Sequence, residues 1–332
     1  MSLNIPSNPA PTGYHERPAE YTAALEKARA LFDSHINDDG SWEVLPEKED
    51  VKLARKNTSE EAGALPLTRG ITTVESATPA QVLAAIQLPG IRVKWDPRFD
   101  QGHAIARYGP HTYEFYSLMK SPSYFVWARD IVGIQENFYS KGGDQIDIIQ
   151  TTVTDEENLP EAGSYQKSRT RATVDISGWR IEKKGEDVEL TYIVKVHLNG
   201  AIPTAVVSTI AAETPMCVGR VRDVYYSFGY HPYELNTSNG GSQDAKSVGV
   251  TQVFEDAKGQ KKWTGSYRGV GADKIEIAYD GQRLYNSGVT VSVEGEGASE
   301  VSTSVDENKH IVTVEVSEGA KDKDFQVIIS PK

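Results

Sequence analysis

The amino-acid sequence predicts an α+β chain: a sheet-rich first domain closed by a long apolar helix, followed by a small all-β sandwich. Three observations carry this. Between Gly90 and Leu198, short alternating runs succeed one another across turns bearing Gly, Pro and Asp, as in an antiparallel meander. The stretch Thr191–Tyr230 then passes from an apolar strand through Gly200-Ala-Ile-Pro203 into residues spaced as a helix. These are Val206, Val207, Ile210 and Ala211, then Val218, Val221, Val224, Tyr225 and Phe228. After Tyr233 helical spacing disappears, and seven short strands separated by Gly and Asp turns fill residues 247–332.

The elements follow in order. Residues 1–18 are rich in Pro and Asn and read as a flexible N-terminus. Tyr21, Leu25, Ala28 and Phe32 keep helical spacing from Ala19 to His35, and Asn37-Asp-Asp-Gly40 ends that helix. Short strands are expected from Trp42 to Arg55, a polar loop over Lys56–Gly63, and a strand over Ile71–Glu75. Thr78 and Pro79 supply the cap and first residue of a helix, Pro79–Gln87. The meander comprises His103–Tyr108, Thr112–Leu118, Ala128–Tyr139, Gln145–Thr152, Ser168–Glu182 and Val188–Leu198. Pro203 opens the last helix, and Pro215 inside its pattern predicts a bend or break near Thr214. The first domain thus spans 19–234. An Asn-, Ser- and Gly-rich linker covers 235–246, and the sandwich covers 247–332, without the Cys…Trp…Cys pattern of a true immunoglobulin domain.

Composition narrows the function. A net charge of −12 argues against nucleic-acid binding, which needs clustered Lys and Arg. The densest basic spot, Lys167, Arg169 and Arg171, alternates and so shares one strand face. No apolar run is long enough to span a membrane, and the N-terminus lacks the basic start and apolar core of a secretory signal. The single cysteine, Cys217, cannot form an internal disulfide and reads as a small core residue, which fits a cytoplasmic protein with peripheral membrane contact. The seven histidines are scattered, with no pair at metal-ligand spacing. Neither a G-x-S-x-G elbow nor a phosphate-cradling loop is present, so no catalytic centre, metal site or cofactor is legible.

Three polar spots in the first domain stand out. Trp95-Asp96 precedes Pro97 at the start of the meander, a place where a Trp beside a carboxylate anchors a loop by hydrogen bonds. Arg129-Asp130 begins a strand after the apolar run Tyr124–Ala128. Burying either charge alone costs several kcal/mol, so an internal ion pair ranks ahead of a ligand role. Glu114 alternates with the aromatics Tyr113, Phe115 and Tyr116, and is either a solvated strand carboxylate or a polar group inside a cavity.

Over Ala19–Tyr233 these features resemble the START family of StAR-related lipid-transfer domains. The resemblance rests on Asp39-Gly-Ser-Trp42 with Val51-Lys-Leu-Ala-Arg55, on Lys94-Trp95-Asp96, and on Trp127-Ala-Arg129-Asp130-Ile-Val132. It rests also on Gln166-Lys-Ser-Arg-Thr-Arg171-Ala172 and, most specifically, on Gly200-Ala-Ile-Pro203. It implies a helix-grip fold: a curved antiparallel sheet around the C-terminal helix, with an internal apolar cavity gated by that helix. The ligand-binding and lid residues it implies are Glu114, Tyr116, Arg129, Gln135 and Arg171 on the sheet. On the helix they are Val206, Ile210, Val218, Val221 and Tyr225. Gln135 stands where the sterol-binding members carry an arginine, leaving a Glu114–Gln135 contact to hold a hydroxyl or other small head group. His197 replaces the family's aspartate before Gly-x-x-Pro.

The function implied is non-catalytic binding and intermembrane transfer of a hydrophobic lipid, whether sterol, phospholipid or another apolar molecule. Transient membrane contact is expected near the helix end (Tyr225, Tyr226, Phe228) or in a loop after strand residues Ser168–Trp179. Two alternatives stay open. One is a helix-grip enzyme acting on a polyketide or aromatic substrate through Glu114, Tyr116 and Arg129. The other is a lipid-gated adaptor whose β-domain binds a protein partner.

Overall fold

The computed structural model describes residues 14–37, 39–56, 65–123, 126–155, 169–200, 202–235 and 248–332. The Pro-rich start, most of the loop Lys56–Gly63, Tyr124, Lys167, Ala201 and nearly all of the expected linker lie outside the described residues.

The first helix, α1 (Ala19–Ile36), buries Tyr21, Leu25, Ala28 and Phe32, the stripe expected from sequence. Then come β1 (Glu43–Lys48), β2 (Val51–Lys56), β3 (Leu67–Val74), α2 (Pro79–Ile86) and α3 (Pro89–Trp95). The meander is β4 (Phe99–Arg107), β5 (Thr112–Met119), β6 (Ala128–Ser140), β7 (Gln145–Thr152), β8 (Arg169–Arg171), β9 (Thr173–Lys184) and β10 (Asp187–His197). These strands form one 10-stranded sheet in the order β1-β2-β3-β10-β9-β7-β6-β5-β4. The strand expected over Ser168–Glu182 is in fact two: β8 leaves the line at Ala172 and pairs parallel to β6. Bulges in the β4–β5 and β9–β10 pairs interrupt the ladder and bend the sheet.

Strand alternation divides the sheet's side chains between two faces. One face, with Val132, Ile134, Ile149, Ile176 and Ile193, receives α1. Gly178 sits in mid-strand because Phe32 occupies the space over it; a Cβ there would lie 2.3 Å from the ring. The other face, with Ile146, Ile148, Trp179, Ile181, Leu190 and Tyr192, receives α2, α3 and the last helix. The Thr78 hydroxyl and the Gln81 amide close a capping box at the start of α2.

The last helix is broken where Pro215 predicts. It forms α4 (Thr204–Glu213) and α5 (Cys217–Ser227). Beyond it lie β11 (Tyr233–Glu234), β12 (Val248–Glu255), β13 (Lys262–Arg268), β14 (Asp273–Ala278), β15 (Val289–Glu294), β16 (Val301–Asp306), β17 (Ile311–Val316) and β18 (Asp324–Pro331). These make two antiparallel sheets, β11-β14-β17-β16 and β12-β13-β18-β15, matching the expected sandwich strand for strand and adding β11.

The two units share one core rather than hanging on a tether. Residues of α2 and α5 and the buried faces of both small sheets join a single apolar cluster. Strand β11, on the first-domain side of the expected linker, pairs with β14. Lys94 on α3 forms an ion pair with Asp256 and lies 3.9 Å from the Phe228 ring centre. Gly229 turns the chain out of α5 with φ +97, and a Cβ there would sit 2.0 Å from Asp280 Oδ2. The outer edge of β12 meets the α2–α3 corner at Gly90, where a Cβ would be only 1.8 Å from the Phe254 carbonyl oxygen.

Gly90→Ala is therefore expected to push β12 off α3 and destabilise the whole chain by roughly 1–3 kcal/mol, the usual cost of overpacking. Thermal denaturation beside a Gly109→Ala control, whose Cβ would meet nothing within 4 Å, checks this; equal melting temperatures would contradict it.

Candidate ligand-binding cavity

The two halves of the last helix are held very differently. In α5, Cys217, Val218, Gly219, Val221, Val224 and Tyr225 are buried, and Gly219 brings the helix so close to β2 that a Cβ would lie 2.7 Å from Val51. In α4 only Ile210 is buried. That helix has no side-chain N-cap, and its Thr204, Val206, Val207, Thr209 and Ile210 are β-branched, which weakens it intrinsically. Its apolar neighbours are the small cluster Leu65, Leu198 and Ile210, with Val206 and Val207 partly buried beside it.

Fixed points bracket α4. Ahead of it, Arg129 Nε donates to the Leu198 carbonyl (3.1 Å) and Nη2 to the Asn199 carbonyl (3.0 Å), while Nη1 donates to the Trp127 carbonyl. Behind it, Pro215 is pressed onto β3: a Cβ on Gly70 would be 2.1 Å from the Pro215 carbonyl oxygen. Arg220 Nη1 reaches back from α5 to the Glu213 carbonyl (3.1 Å), and Glu213 pairs with Arg98 at 2.6 Å. That pair is partly solvated, and such pairs contribute about 0–1 kcal/mol.

Beneath α4 a cavity of about 450 Å³ runs between the sheet, α2, α3 and the sandwich. Its apolar wall includes Trp95, Phe115, Met119, Ile131, Ile148, Val194, Val196 and Ile210. Trp179 stacks on Tyr192 with ring centres 4.0 Å apart and meets Trp95 edge-on at 5.6 Å. Through this wall runs an uncharged polar chain. Gln87 and Asn137 exchange hydrogen bonds (3.0 and 3.3 Å). Gln135 Nε2 donates to Asn137 Oδ1 (3.0 Å), and Gln150 Nε2 donates to Gln135 Oε1 (2.6 Å). Ser177 Oγ donates to Gln150 Oε1 (2.8 Å) and lies 3.1 Å from the Tyr192 hydroxyl. The amides bring more N–H donors than these bonds consume, so an acceptor on a ligand can be held without charge.

Ionisable groups at the wall are turned to partners: Arg92 to Asp96 (2.9 Å), Arg107 Nη1 to the Pro110 carbonyl (3.3 Å), and Glu234 to Tyr267 Oη (2.8 Å) and Gln252 Nε2 (3.0 Å). Burial lowers His111 and His231 to about 4, so both are neutral at physiological pH. Burial pushes the Cys217 thiol up to about 12, which removes it as a nucleophile. Trp95 and Asp96 anchor the start of β4: the indole donates to the Ile86 carbonyl (3.2 Å), and Asp96 Oδ1 accepts from Arg98 N (3.1 Å).

Of the ligand-binding and lid residues expected from sequence, Arg129, Gln135 and Ile210 face this cavity, and Tyr116 borders it. The others do not. Glu114 pairs in register with Ile134, whereas Gln135 pairs with Tyr113, so alternation puts the carboxylate on the opposite face, under α1. There it accepts from Tyr108 Oη (2.8 Å) and Tyr21 Oη (3.2 Å), and a Glu114–Gln135 contact is excluded. Tyr116 turns its hydroxyl to Arg169, and Arg171 pairs with Asp130 at 2.9 Å on that same face. Arg129 and Asp130, as strand neighbours, point apart and form no pair with each other. Val218, Val221 and Tyr225 pack into the shared core, and Val206 joins the small cluster under α4. Tyr225 is 2% exposed and Phe228 packs on Phe254, so these two meet the sandwich, while Tyr226 is 39% exposed and its hydroxyl accepts from Glu75 N (2.6 Å). After Trp179 the chain continues as β9, leaving no loop there. His197, ahead of Gly200-Ala-Ile-Pro203, lies with its Nε2 3.0 Å from Asp175 Oδ2 on β9.

The START domain family model matches residues 22–217, more than half of the chain. The chain belongs to the START family. Among solved structures its fold is similar to human StAR-related lipid transfer protein 5, at 18% identity over 62% of this chain and 96% of that one, with a TM-score of 0.54. It is also similar to human STARD10, at 16% identity over 65% and 83%, with a TM-score of 0.51. At these identities the likeness establishes the fold alone. Comparison with curated protein sequences finds no match. The START match ends at Cys217, the first residue of α5, and does not enter the sandwich.

Glu114 gives this START domain a proton-linked element. Burial, aided by neighbouring Asp155, raises its carboxyl from 4.5 to about 7. Because the folded-state value is the higher one, the stabilisation is complete below pH 4.5 and is lost as pH rises through 7. Wild type should therefore lose roughly 3 kcal/mol relative to Glu114→Gln across that window. Urea denaturation at pH 4.5 and pH 8 measures it, and parallel pH profiles for the two proteins would contradict it.

Proposed function

We propose that this START domain carries one neutral amphiphilic lipid in the cavity and exchanges it with membranes by swinging α4, while α5 stays fixed. The observation that supports this most is the cavity wall itself: apolar and aromatic over most of its surface, crossed by an uncharged amide–hydroxyl chain, in a volume of about 450 Å³. That volume lies within the usual range for a small-molecule site, roughly 300–1,000 Å³. Apolar burial at about 25 cal/mol per Å² supplies affinity, and the Gln135–Gln150–Ser177 chain orients a hydroxyl, ester or amide. A charged head group would have to compete with the protein partners that Arg92, Arg98 and Arg129 already hold, which disfavours it.

The lid reading draws on the contrast between α4 and α5 and on the solvated Arg98–Glu213 latch. Trp127, 57% exposed, stands beside the same end of the cavity, its carbonyl bound by the arginine that fixes the chain leading into α4. An exposed indole suits the membrane–water interface, so this end would touch the donor or acceptor bilayer. No helix among the described residues is long and apolar enough to cross a membrane.

Native mass spectrometry of the purified protein, followed by organic extraction, is expected to reveal a neutral amphiphile in stoichiometric amount. Ile210→Trp, which fills the cavity under α4, should reduce that occupancy and slow vesicle-to-vesicle transfer of a fluorescent diacylglycerol several-fold. Trp127→Ser should slow transfer while leaving occupancy unchanged. An empty wild-type protein that transfers no lipid class would refute the proposal.

A further inference from the structure

We infer that the β-sandwich forms one wall of the ligand cavity and sets the length of the molecule accepted; this rests on the lipid-binding reading above. Away from α4, the cavity is bounded by Thr251, Gln252, Val253 and Phe254 of β12, facing Tyr139 and His231. These residues come from a strand that pairs only with β13, so its other edge is open towards the first domain. That edge is held at one distance by Gly90, which admits the Phe254 carbonyl where any side chain would block it.

Val253 is the informative residue. It lies on the cavity boundary and is 44% exposed, whereas its strand neighbour Phe254 is 2% exposed. Space therefore stands in front of it. Around it, His111 and His231 are held neutral by burial, Glu234 is bound by Tyr267 and Gln252, and the nearby Arg107 guanidinium donates through Nη1 to the Pro110 carbonyl (3.3 Å). Such an end takes the terminal methylenes of an acyl chain, or another compact apolar end, whose polar end lies on the amide chain nearer the middle. Moving the sandwich by one methylene-sized step would change the longest chain that fits.

The test uses the full chain and measures displacement of bound nile red by 1-lauroylglycerol and by 1-stearoylglycerol. Val253→Trp fills the space and should weaken the stearoyl competitor by about tenfold, the scale of discrimination by one methylene-sized volume, while sparing the lauroyl one. Val253→Ala enlarges the space and should strengthen the stearoyl competitor. Melting temperatures equal to wild type confirm that both variants are folded. If both variants compete like wild type while Ile210→Trp weakens both glycerides, the sandwich is no wall and the lipid-binding reading survives alone. If wild type binds neither nile red nor either glyceride, the lipid-binding reading fails and takes this inference with it.

Discussion

The architecture turns on one close contact, the Pro215 carbonyl seated on Gly70 of β3. A side chain at position 70 would overlap that oxygen, so glycine is what lets the helix break lie directly on the sheet. Pro215 in turn has no N–H to continue the helical ladder. Together they divide the last helix into segments with opposite energetics. Burying Val218, Val221, Val224 and Tyr225 contributes roughly 1.5–3 kcal/mol per side chain, whereas α4 offers the single buried side chain of Ile210. Lifting α4 costs a fraction of what lifting α5 would.

From that division follows the relation between the cavity and the rest of the chain. Because α5 is buried on the sheet, it can run directly into β11 and share its core with the sandwich. In the proposed gating α4 is the moving side of the cavity, with Arg129 binding the chain ahead of it and Arg220 the chain behind it. The polar chain inside is uncharged, so its own groups include no ion that an empty cavity would strip of hydration. Neutral amides tolerate both occupied and empty states far better than a buried carboxylate–guanidinium pair broken by ligand departure.

Much of the fold was legible in the sequence, because hydrophobic period and turn residues are local signals. The α1 stripe, the meander, the Thr78–Pro79 helix start, the Pro215 break and the seven sandwich strands all follow from neighbours within a few residues. The short α3 and β11 were not legible: neither is long enough to show a period, and β11 is a strand only by its pairing with β14. Site residues were harder for the same reason. Glu114 and Gln135 both stand on strands, but only the Tyr113–Gln135 register shows that they face opposite sides. Gln87, Asn137, Gln150, Ser177 and Tyr192 come from separate elements, and no spacing rule links them. Val218, Val221 and Tyr225 show the helical period correctly, yet periodicity cannot distinguish a face packed on a sheet from one lining a cavity.

Hydrogen–deuterium exchange on the unliganded full chain tests the hinged lid most directly. The account predicts that the amides of α4 exchange far faster than those of α5, with the change in protection falling at Thr214–Met216, and that bound lipid slows α4 alone. Uniform slow exchange from Thr204 to Ser227 would mean that the last helix opens as one piece or not at all, and would contradict it.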